Sequence, residues 1–300
     1  MKIYEKDLFA EISEMAKTNE GTGYKIHVEN EQERIANVSE MAKYYKPILQ
    51  KIINDCMVDG TPLFGNLMLS TVNRCNGLCS FCAANAQRDD RTFHQMSDEL
   101  LQNIFEQLAE LKYHGRITLN GLNEPFMDCR MVDIIKNVAK AVPTARIHII
   151  TNGTLLNEDM LEQIIPYCTK IHVNCYGDGI SIPSKIKSWG EKYSSYGVLK
   201  IEPRYREDIL SQFGNNDCGR MIVSGIDCAC ILPFNTISIT SDGKVNLCIS
   251  DRKKEFVVGD INKQSLIEIW YGKELQSIRR AMNNGRNGCK LCKDCDMFCF

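Results

Sequence analysis

Three cysteines stand close together in the segment "NRCNGLCSFCAANAQRDDR", where Cys75, Cys79 and Cys82 lie within eight consecutive residues. Exposed thiolates oxidise and bind metals, so three of them in one loop indicate a metal-bound site. A structural zinc ion would need a fourth local ligand, and His94 is the nearest candidate. Three thiolates also suit a [4Fe-4S] cluster that leaves one iron open to a reactant. Spacing alone leaves both metals open, and we call residues 75–82 the cluster loop.

A second group of cysteines occupies the C-terminal part of the chain, with seven of the fifteen between positions 228 and 299. In this region the run "NTISITSDGKVNLCIS" has two β-prone stretches around an Asp-Gly pair, which predicts a β-hairpin. The tail "CKLCKDCDMFCF" is too rich in cysteine to predict a helix. A zinc ribbon would account for a CxxC pair here as well as an iron-sulfur cluster would.

Composition excludes several classes of protein. The chain has 36 Lys and Arg against 38 Asp and Glu, and no basic stripe predicts binding to a nucleic acid. The first residues offer no apolar core of an export signal, and no run of eighteen apolar residues predicts a membrane span. Fifteen cysteines without an export signal favour metal ligation over disulfides. We therefore expect a cytoplasmic protein that binds neither nucleic acid nor membrane.

Alternating helix-like and β-prone segments must position these cysteines. Residues 1–60 predict an N-terminal helical extension, in which residues 35–53 form an amphipathic run. Strand-like and helix-like segments then alternate from "NLMLSTV" to "GVLKIEPRY", which predicts an α/β region with a parallel sheet over residues 61–220. The pattern changes near residue 220, and residues 221–300 predict a small α+β appendage with a hairpin and short helices.

Polar residues follow each predicted strand of the parallel region. The cluster loop follows the first strand, residues 121–125 the second, Asn152 the third and Asn174 the fourth. Because the carboxyl ends of parallel strands meet at one edge of a sheet, we expect these groups to converge on one site. Cys175 sits beside them, and its two interpretations are a buried unreactive thiol and a hydrogen donor to a substrate radical.

Several other polar and aromatic residues are interpreted as structural. The "RDDR" run at 88–91 predicts exposed charges, although its position after the cluster loop would let Arg91 meet a substrate. His172 lies inside a predicted strand and is interpreted as a packed core residue. Trp270 is expected to pack a short helix onto the appendage.

In combination, "CNGLCSFC", "NGLNEPF", "TNGTLL" and "VNCYGDG" resemble the conserved segments of the radical S-adenosylmethionine (SAM) enzymes. The resemblance runs from about Leu67 to Gly179 and implies a partial (β/α)6 TIM-like barrel. It also implies a [4Fe-4S] cluster held by the three thiols of the cluster loop, with SAM on the open iron. The residues implied to contact SAM are Phe81, Gly121, Asn123, Glu124, Asn152 and Asn174. Glu124 would accept a hydrogen bond from the methionine ammonium, and Asn123 departs from the glycine that is usual in the family.

The C-terminal cysteines resemble the SPASM/twitch appendage of the same enzymes, where a hairpin and a later cysteine pair hold an auxiliary [4Fe-4S] cluster. The ligands implied by this resemblance are Cys230, Cys248, Cys292 and Cys295. Two auxiliary clusters would need eight thiolates, and seven cysteines are present, so we expect a single cluster. Cys228, Cys289 and Cys299 are then spare.

The two resemblances imply an enzyme that reductively cleaves SAM to a 5'-deoxyadenosyl radical and abstracts a hydrogen atom from its substrate. The appendage is similar to that of the aminocyclitol dehydrogenases, which favours oxidation of a carbohydrate-like or aminocyclitol-like small molecule with electrons from a flavodoxin or ferredoxin. The alternatives within radical chemistry are a maturase acting on a peptide substrate and an epimerase with Cys175 or Cys218 as thiol donor. An iron-sulfur electron carrier or a zinc protein is the non-enzyme alternative, and neither would need Glu124.

Overall fold

A computed structural model describes residues 30–79, 82, 84–85, 89–177, 182–205, 226, 228–249, 251 and 253–296. Its first element is helix α1 (Glu31–Val58), which begins at Asn30, whose side chain accepts a hydrogen bond from Glu33 N at 2.9 Å. Leu49 and Ile53 are fully buried on its inner face, so the helix packs onto the core as its amphipathic pattern predicts. The remainder of the predicted helical extension, residues 1–29, lies outside the described residues.

Strands and helices alternate through the next region, as the sequence predicts. The strands are β1 (Asn66–Leu69), β2 (Arg116–Thr118), β3 (Arg146–Thr151), β4 (Lys170–Gly177) and β5 (Leu199–Tyr205). The helices are α2 (Asp98–Glu110), α3 (Met131–Ala141), α4 (Glu158–Ile164) and α5 (Ser184–Lys192). Each strand pairs in parallel with the next along the chain. The helical crossovers that this requires cover one face of the sheet.

The C-terminal region joins the same sheet. Its elements are α6 (Leu232–Asn235), β6 (Thr236–Ile239), β7 (Lys244–Asn246), β8 (Val257–Asp260), α7 (Leu266–Trp270) and α8 (Lys273–Met282). Strands β6 and β7 form the predicted antiparallel hairpin, and Gly243 takes a positive φ of 80° in its turn. Strand β6 also pairs in parallel with β1, so the sheet has the order β5-β4-β3-β2-β1-β6-β7-β8. The predicted α/β barrel with a small α+β appendage is confirmed, and a backbone ladder connects the two.

The two faces of the parallel sheet differ in polarity. Strand β3 alternates between buried and half-buried residues, with Ile147 and Ile149 under the helices. The side chains that alternate with these isoleucines lie on the opposite face, which is more polar. Residues in register across parallel strands share a face. His172 lies on that polar face and bonds to Glu202 of β5 at 2.6 Å rather than packing in an apolar core. Among the described residues, no helix is long and apolar enough to cross a membrane.

Trp270 connects helix α7 to the barrel. Its ring is fully buried, its Nε1 donates to Pro62 O at 2.7 Å, and the ring of Phe64 meets it edge-on at 5.4 Å. The guanidinium of Arg279, on α8, lies 4.1 Å from the Trp270 ring centre. The sequence predicted packing onto the appendage alone. The structure instead shows that the loop before β1 and the last helices share one aromatic cluster.

Candidate functional site

The thiols of the cluster loop converge at the carboxyl end of β1. Gly77 N donates to Cys75 Sγ at 3.3 Å. A Cβ at Gly77 would lie 3.3 Å from Cys75 Sγ and 3.7 Å from Cys79 Sγ, so this glycine leaves the space between the two thiols open. Burial raises the pKa of Cys75 to about 11, helped by the neighbouring Glu124, Cys82 and Cys79. A thiol that is costly to ionise alone, with two further thiols beside it, suits a site in which positive iron balances the charge.

Two asparagines fix the cluster loop to its surroundings. Asn85 is buried and donates from Nδ2 to Cys79 O at 2.9 Å. Asn152, which follows β3, donates from Nδ2 to Asn76 Oδ1 at 2.9 Å, and Asn76 donates in turn to Thr154 Oγ1 at 2.8 Å. Asn152 therefore holds the cluster loop against the end of β3. Its predicted contact with SAM stays a prediction, and Phe81 lies outside the described residues.

Glu124 is a buried carboxylate between the ends of β2 and β3. Its Oε1 accepts from Thr151 Oγ1 at 2.6 Å and from Phe126 N at 3.3 Å, and its Oε2 accepts from Asn152 N at 2.8 Å. Burial raises the pKa of this carboxyl group, and the three hydrogen bonds oppose that rise. A carboxylate has about four lone-pair sites, so one acceptor position on Oε2 stays available for a cation. The residue is therefore both a structural tie and a candidate ligand for an ammonium group.

Asn123 does not need the left-handed conformation that glycine favours. Its φ is not positive, and its Oδ1 accepts from Gly121 N at 2.6 Å. A Cβ at Gly121 would lie 2.0 Å from Ser70 Oγ, so the backbone of the β2 loop passes directly over the end of β1. The asparagine thus closes the turn with its own side chain where the family usually has glycine.

Three buried amide atoms at this edge of the sheet have no hydrogen-bond partner within the described part of the chain. They are Asn120 Oδ1, Asn123 Nδ2 and Asn174 Oδ1. Buried polar atoms are nearly always paired, so unpaired atoms beside a row of thiols point to a ligand with donors and acceptors of its own. SAM has an ammonium, a carboxylate and ribose hydroxyls, so these residues fit it.

Cys175 lies on the other face of strand β4. It follows Asn174 directly, so the two side chains point to opposite faces, and Cys175 shares its face with Ile171 and Val173. Burial raises the pKa of its thiol. The sequence placed Cys175 at the site, whereas the structure places it in the helix-covered core. This position favours a packing role over hydrogen donation.

The charged run after the cluster loop was predicted to be exposed, and among its described residues Asp90 is exposed whereas the Asp89 side chain is buried. The Asp89 side chain is 1% exposed and accepts from Arg91 Nε at 2.8 Å and Arg91 Nη2 at 2.6 Å. Arg74 lies 3.4 Å from the same carboxylate. Despite burial, which acts in the opposite direction, these guanidinium contacts lower the pKa of Asp89. The ion pairs were not predictable, because an acidic-basic run has no periodicity that reveals which charge turns inward.

The second group of cysteines gathers at the C-terminal end. Cys230 lies near Cys289, Cys292 and Cys295. Burial raises the pKa of Cys230, and the nearby Arg286 opposes this rise. The thiols of Cys289 and Cys292 are hydrogen-bonded to each other, which lowers the pKa of Cys289.

Cys289, which the sequence left spare, therefore stands among the predicted ligands. Cys248 follows the hairpin, half-buried against the same core, and Cys228 is fully buried. Cys218 and Cys299 lie outside the described residues.

Within the described ranges, no three Cys, His or carboxylate groups are arranged to hold a single metal ion. A [4Fe-4S] cluster takes each ligand on a separate iron, so its thiolates do not meet at one point. The soft sulfur donors in both groups are the ligand type that iron-sulfur clusters use. Both groups of cysteines therefore fit iron-sulfur clusters.

Comparison with known proteins agrees with this chemistry. Residues 69–179 match the family model of the radical SAM superfamily, and residues 228–296 match that of the SPASM iron-sulfur cluster-binding domain. The S-adenosyl-L-methionine-dependent 2-deoxy-scyllo-inosamine dehydrogenase of Niallia circulans is 26% identical over 239 residues, which cover 78% of this chain and 93% of that protein.

Solved structures show the same fold. A crystal structure of BtrN in complex with AdoMet and 2-DOIA superposes with a TM-score of 0.67 at 23% identity, covering 78% of this chain and 94% of that one. A structure of native anSMEcpe with bound AdoMet gives a TM-score of 0.53 at 15% identity, covering 78% and 89%. The two family models match both cysteine groups and the strand ends between them. The chain therefore belongs to the radical SAM superfamily, whose members bind SAM and iron-sulfur clusters, and carries a C-terminal SPASM-type domain.

Proposed function

We propose that this radical SAM enzyme is a dehydrogenase that oxidises a secondary alcohol of a small polyhydroxylated ring, of the aminocyclitol or carbohydrate type. The observation that carries the proposal is the relative from Niallia circulans, a dehydrogenase whose length is covered to 93%. A match over 239 residues is longer than the predicted barrel region of residues 61–220 alone. The orphaned amide atoms at the strand ends add support, because they suit polar ligands.

The residues that would hold the first cluster are Cys75, Cys79 and Cys82. When bound, the cluster and SAM supply one-electron chemistry that removes a hydrogen atom from an unactivated carbon. Glu124 would accept from the SAM ammonium through the free acceptor position on Oε2. Its bonds to Thr151 and Asn152 hold the carboxylate in place before SAM arrives, which lowers the cost of ordering it on binding.

The unpaired amides at the ends of β2 and β4 would complete the binding of SAM. Asn123 Nδ2 is a donor suited to a carboxylate, and Asn174 Oδ1 is an acceptor suited to a ribose hydroxyl. Gly121 keeps the β2 loop close to the sheet, so that its backbone can lie along the methionine moiety. These residues position the reactant and exclude water, which a radical reaction needs more than it needs acid-base groups.

We further propose one auxiliary cluster as the acceptor of the second electron. Oxidation of an alcohol to a ketone removes a hydrogen atom, an electron and a proton, so an electron acceptor must lie within the protein. The residues proposed to hold it are Cys230, Cys248, Cys292 and Cys295. A flavodoxin or ferredoxin would supply the electron that starts each turnover. The placement of Cys175 in the core disfavours it as the thiol donor of an epimerase, and Cys218, the other candidate donor, lies outside the described residues.

The test is a turnover assay with the anaerobically reconstituted enzyme. The protein is incubated with SAM, dithionite and 2-deoxy-scyllo-inosamine, and 5'-deoxyadenosine and ketone are measured by mass spectrometry. We expect one ketone for each 5'-deoxyadenosine. A Cys79→Ala variant is the control and should form neither product. When the assay is run in D2O, recovery of unoxidised substrate that carries deuterium would instead indicate epimerisation. Cleavage of SAM that leaves 2-deoxy-scyllo-inosamine intact would contradict the proposed substrate class.

A further inference from the structure

A cavity of about 580 Å³ lies between the barrel and the auxiliary hairpin. One wall is residues 90–94, which follow the cluster loop, and the floor is formed by Ser70 and Gly121 at the ends of β1 and β2. The opposite wall is the β6–β7 hairpin, including Ser238, Ser241 and Asn246. Its volume is in the range of small-molecule sites. The cavity thus adjoins the strand ends where SAM is proposed to bind and the hairpin that leads to Cys248.

Arg91 presents a fixed donor to this cavity. Two of its nitrogens are held by the buried Asp89 carboxylate, and Nη2 also donates to Leu122 O at 3.1 Å. The third nitrogen, Nη1, makes no hydrogen bond within the part of the chain that the structure describes. Because the carboxylate and the carbonyl fix the plane of the guanidinium, a ligand that bonds to Nη1 does not have to order a flexible side chain.

The hairpin wall contributes hydroxyl groups. Ser238 lies in register with Met68 of β1, and both line the cavity. Ser238 and Ser241 are 6% and 2% exposed, and both line the cavity. Asn246 stands opposite Ser238 in the hairpin and is also buried, with an unpaired Oδ1. A buried amide oxygen without a partner is rare unless a ligand or water completes it, so Asn246 points to a polar ligand beside the two serines.

We infer that this cavity is the substrate site, and that it binds a polyhydroxylated ring with Arg91 donating to one ring oxygen and Ser238 and Ser241 bonding to others. A ring hydroxyl is both donor and acceptor, so it matches a wall of hydroxyls facing a fixed guanidinium. The inference rests on the proposed function and assigns its substrate site. It predicts that the ring contacts the barrel and the hairpin at the same time.

Arg130 provides a matched control. Like Arg91, it stands two residues after a buried aspartate, bonds to it through Nε and Nη2 at 3.0 and 2.9 Å, and donates to a backbone carbonyl, that of Met96. The Asp128 side chain is fully buried, as that of Asp89 is. Arg130 does not line the cavity. Replacing either arginine by Gln therefore removes the same kind of ion pair, but only one replacement removes a cavity donor.

The experiment is isothermal titration of 2-deoxy-scyllo-inosamine into the reconstituted, SAM-saturated enzyme. Losing a charge-assisted hydrogen bond should raise the Kd of the ring about ten- to a hundred-fold in Arg91→Gln. Arg130→Gln should leave that Kd within about two-fold, because its ion pair only stabilises the fold. The double variant Ser238→Ala/Ser241→Ala should raise the Kd about ten-fold from two neutral bonds. Iron content and SAM affinity are measured on every variant.

The outcomes separate the inference from the proposed function. If wild type binds the ring and both cavity variants bind it as tightly, the cavity is not the substrate site, while the proposed function stands. If Arg91→Gln loses iron or SAM as well as the ring, the serine variant decides, since it disturbs no ion pair. If wild type neither binds nor oxidises the ring, the proposed function fails and the cavity assignment fails with it.

Discussion

Glu124→Gln should separate the two roles of this buried carboxylate. The substitution keeps the shape of the side chain and removes its charge. Oε1 can still accept from Thr151 and Phe126, but an amide nitrogen in the place of Oε2 opposes Asn152 N, which loses its acceptor. An unpaired buried donor costs about 1–3 kcal/mol. Burial raises the pKa of Glu124, so the neutral side chain recovers part of that loss.

The effect on SAM should be larger than the effect on folding. The bond between a carboxylate and an ammonium contributes about 1.5–3 kcal/mol, which corresponds to a ten- to hundred-fold change in Kd. Thr151→Val is the matched control, because it removes the 2.6 Å bond to Oε1 and the bond from Gly153 N but keeps the charge. That variant should lose at least about 1.5 kcal/mol of unfolding free energy and retain SAM affinity within about three-fold.

The assay is titration calorimetry with SAM on anaerobically reconstituted proteins, with thermal unfolding followed on the same samples. We expect Glu124→Gln to bind SAM poorly while unfolding near the wild-type temperature. Thr151→Val should bind SAM nearly as well as the wild type and unfold at a lower temperature. Equal SAM affinity in Glu124→Gln and wild type would refute the ammonium contact, and it would leave Glu124 as a tie between β2 and β3 only.

Four further predictions concern the clusters and the fold. Replacing all three thiols of the cluster loop by Ala should remove about four irons per chain and abolish 5'-deoxyadenosine formation, measured by iron assay and chromatography. Cys248→Ala should lose the auxiliary iron signal in electron paramagnetic resonance and Cys289→Ala should keep it; the reverse result would make Cys289 the ligand. Trp270→Ala should lower the unfolding free energy by about 3–5 kcal/mol in urea titration, because the ring is fully buried. Burial and nearby cations hold the pKa of His148 at about 3, against 6.5 ordinarily. The free energy of unfolding should therefore fall as the pH drops below 6.5, and it should fall less in His148→Gln, as measured by unfolding both proteins at pH 7 and pH 5.

The order of local elements and the convergence at the strand ends were predictable from sequence. Apolar periodicity and the Asp-Gly turn predicted the parallel strands and the hairpin, because both signals depend on neighbouring residues. The cluster loop, Glu124 and Asn152 follow the successive strands β1, β2 and β3, so the parallel topology alone brings them to one edge.

The pairing of β6 with β1 was not predictable, since the two strands lie far apart in the chain and no periodicity encodes their register. Side-chain direction was also uncertain at Cys175, where a shift of one residue decides between the site and the core. The burial of Asp89 depends on Arg74 and Arg91 closing over it, which is a tertiary arrangement.

Because β6 pairs with β1, the C-terminal region covers an edge of the sheet that would otherwise be open. Strand β1 is almost wholly buried, and β6 pairs with it along all four of its residues, with further bonds from Gly65 N to Asn235 O and from Ser70 N to Ile239 O. A barrel cut off before β6 would present that strand as an unprotected edge, which is a template for pairing with other chains. The C-terminal region therefore protects the barrel against self-association, in addition to any part it takes in catalysis.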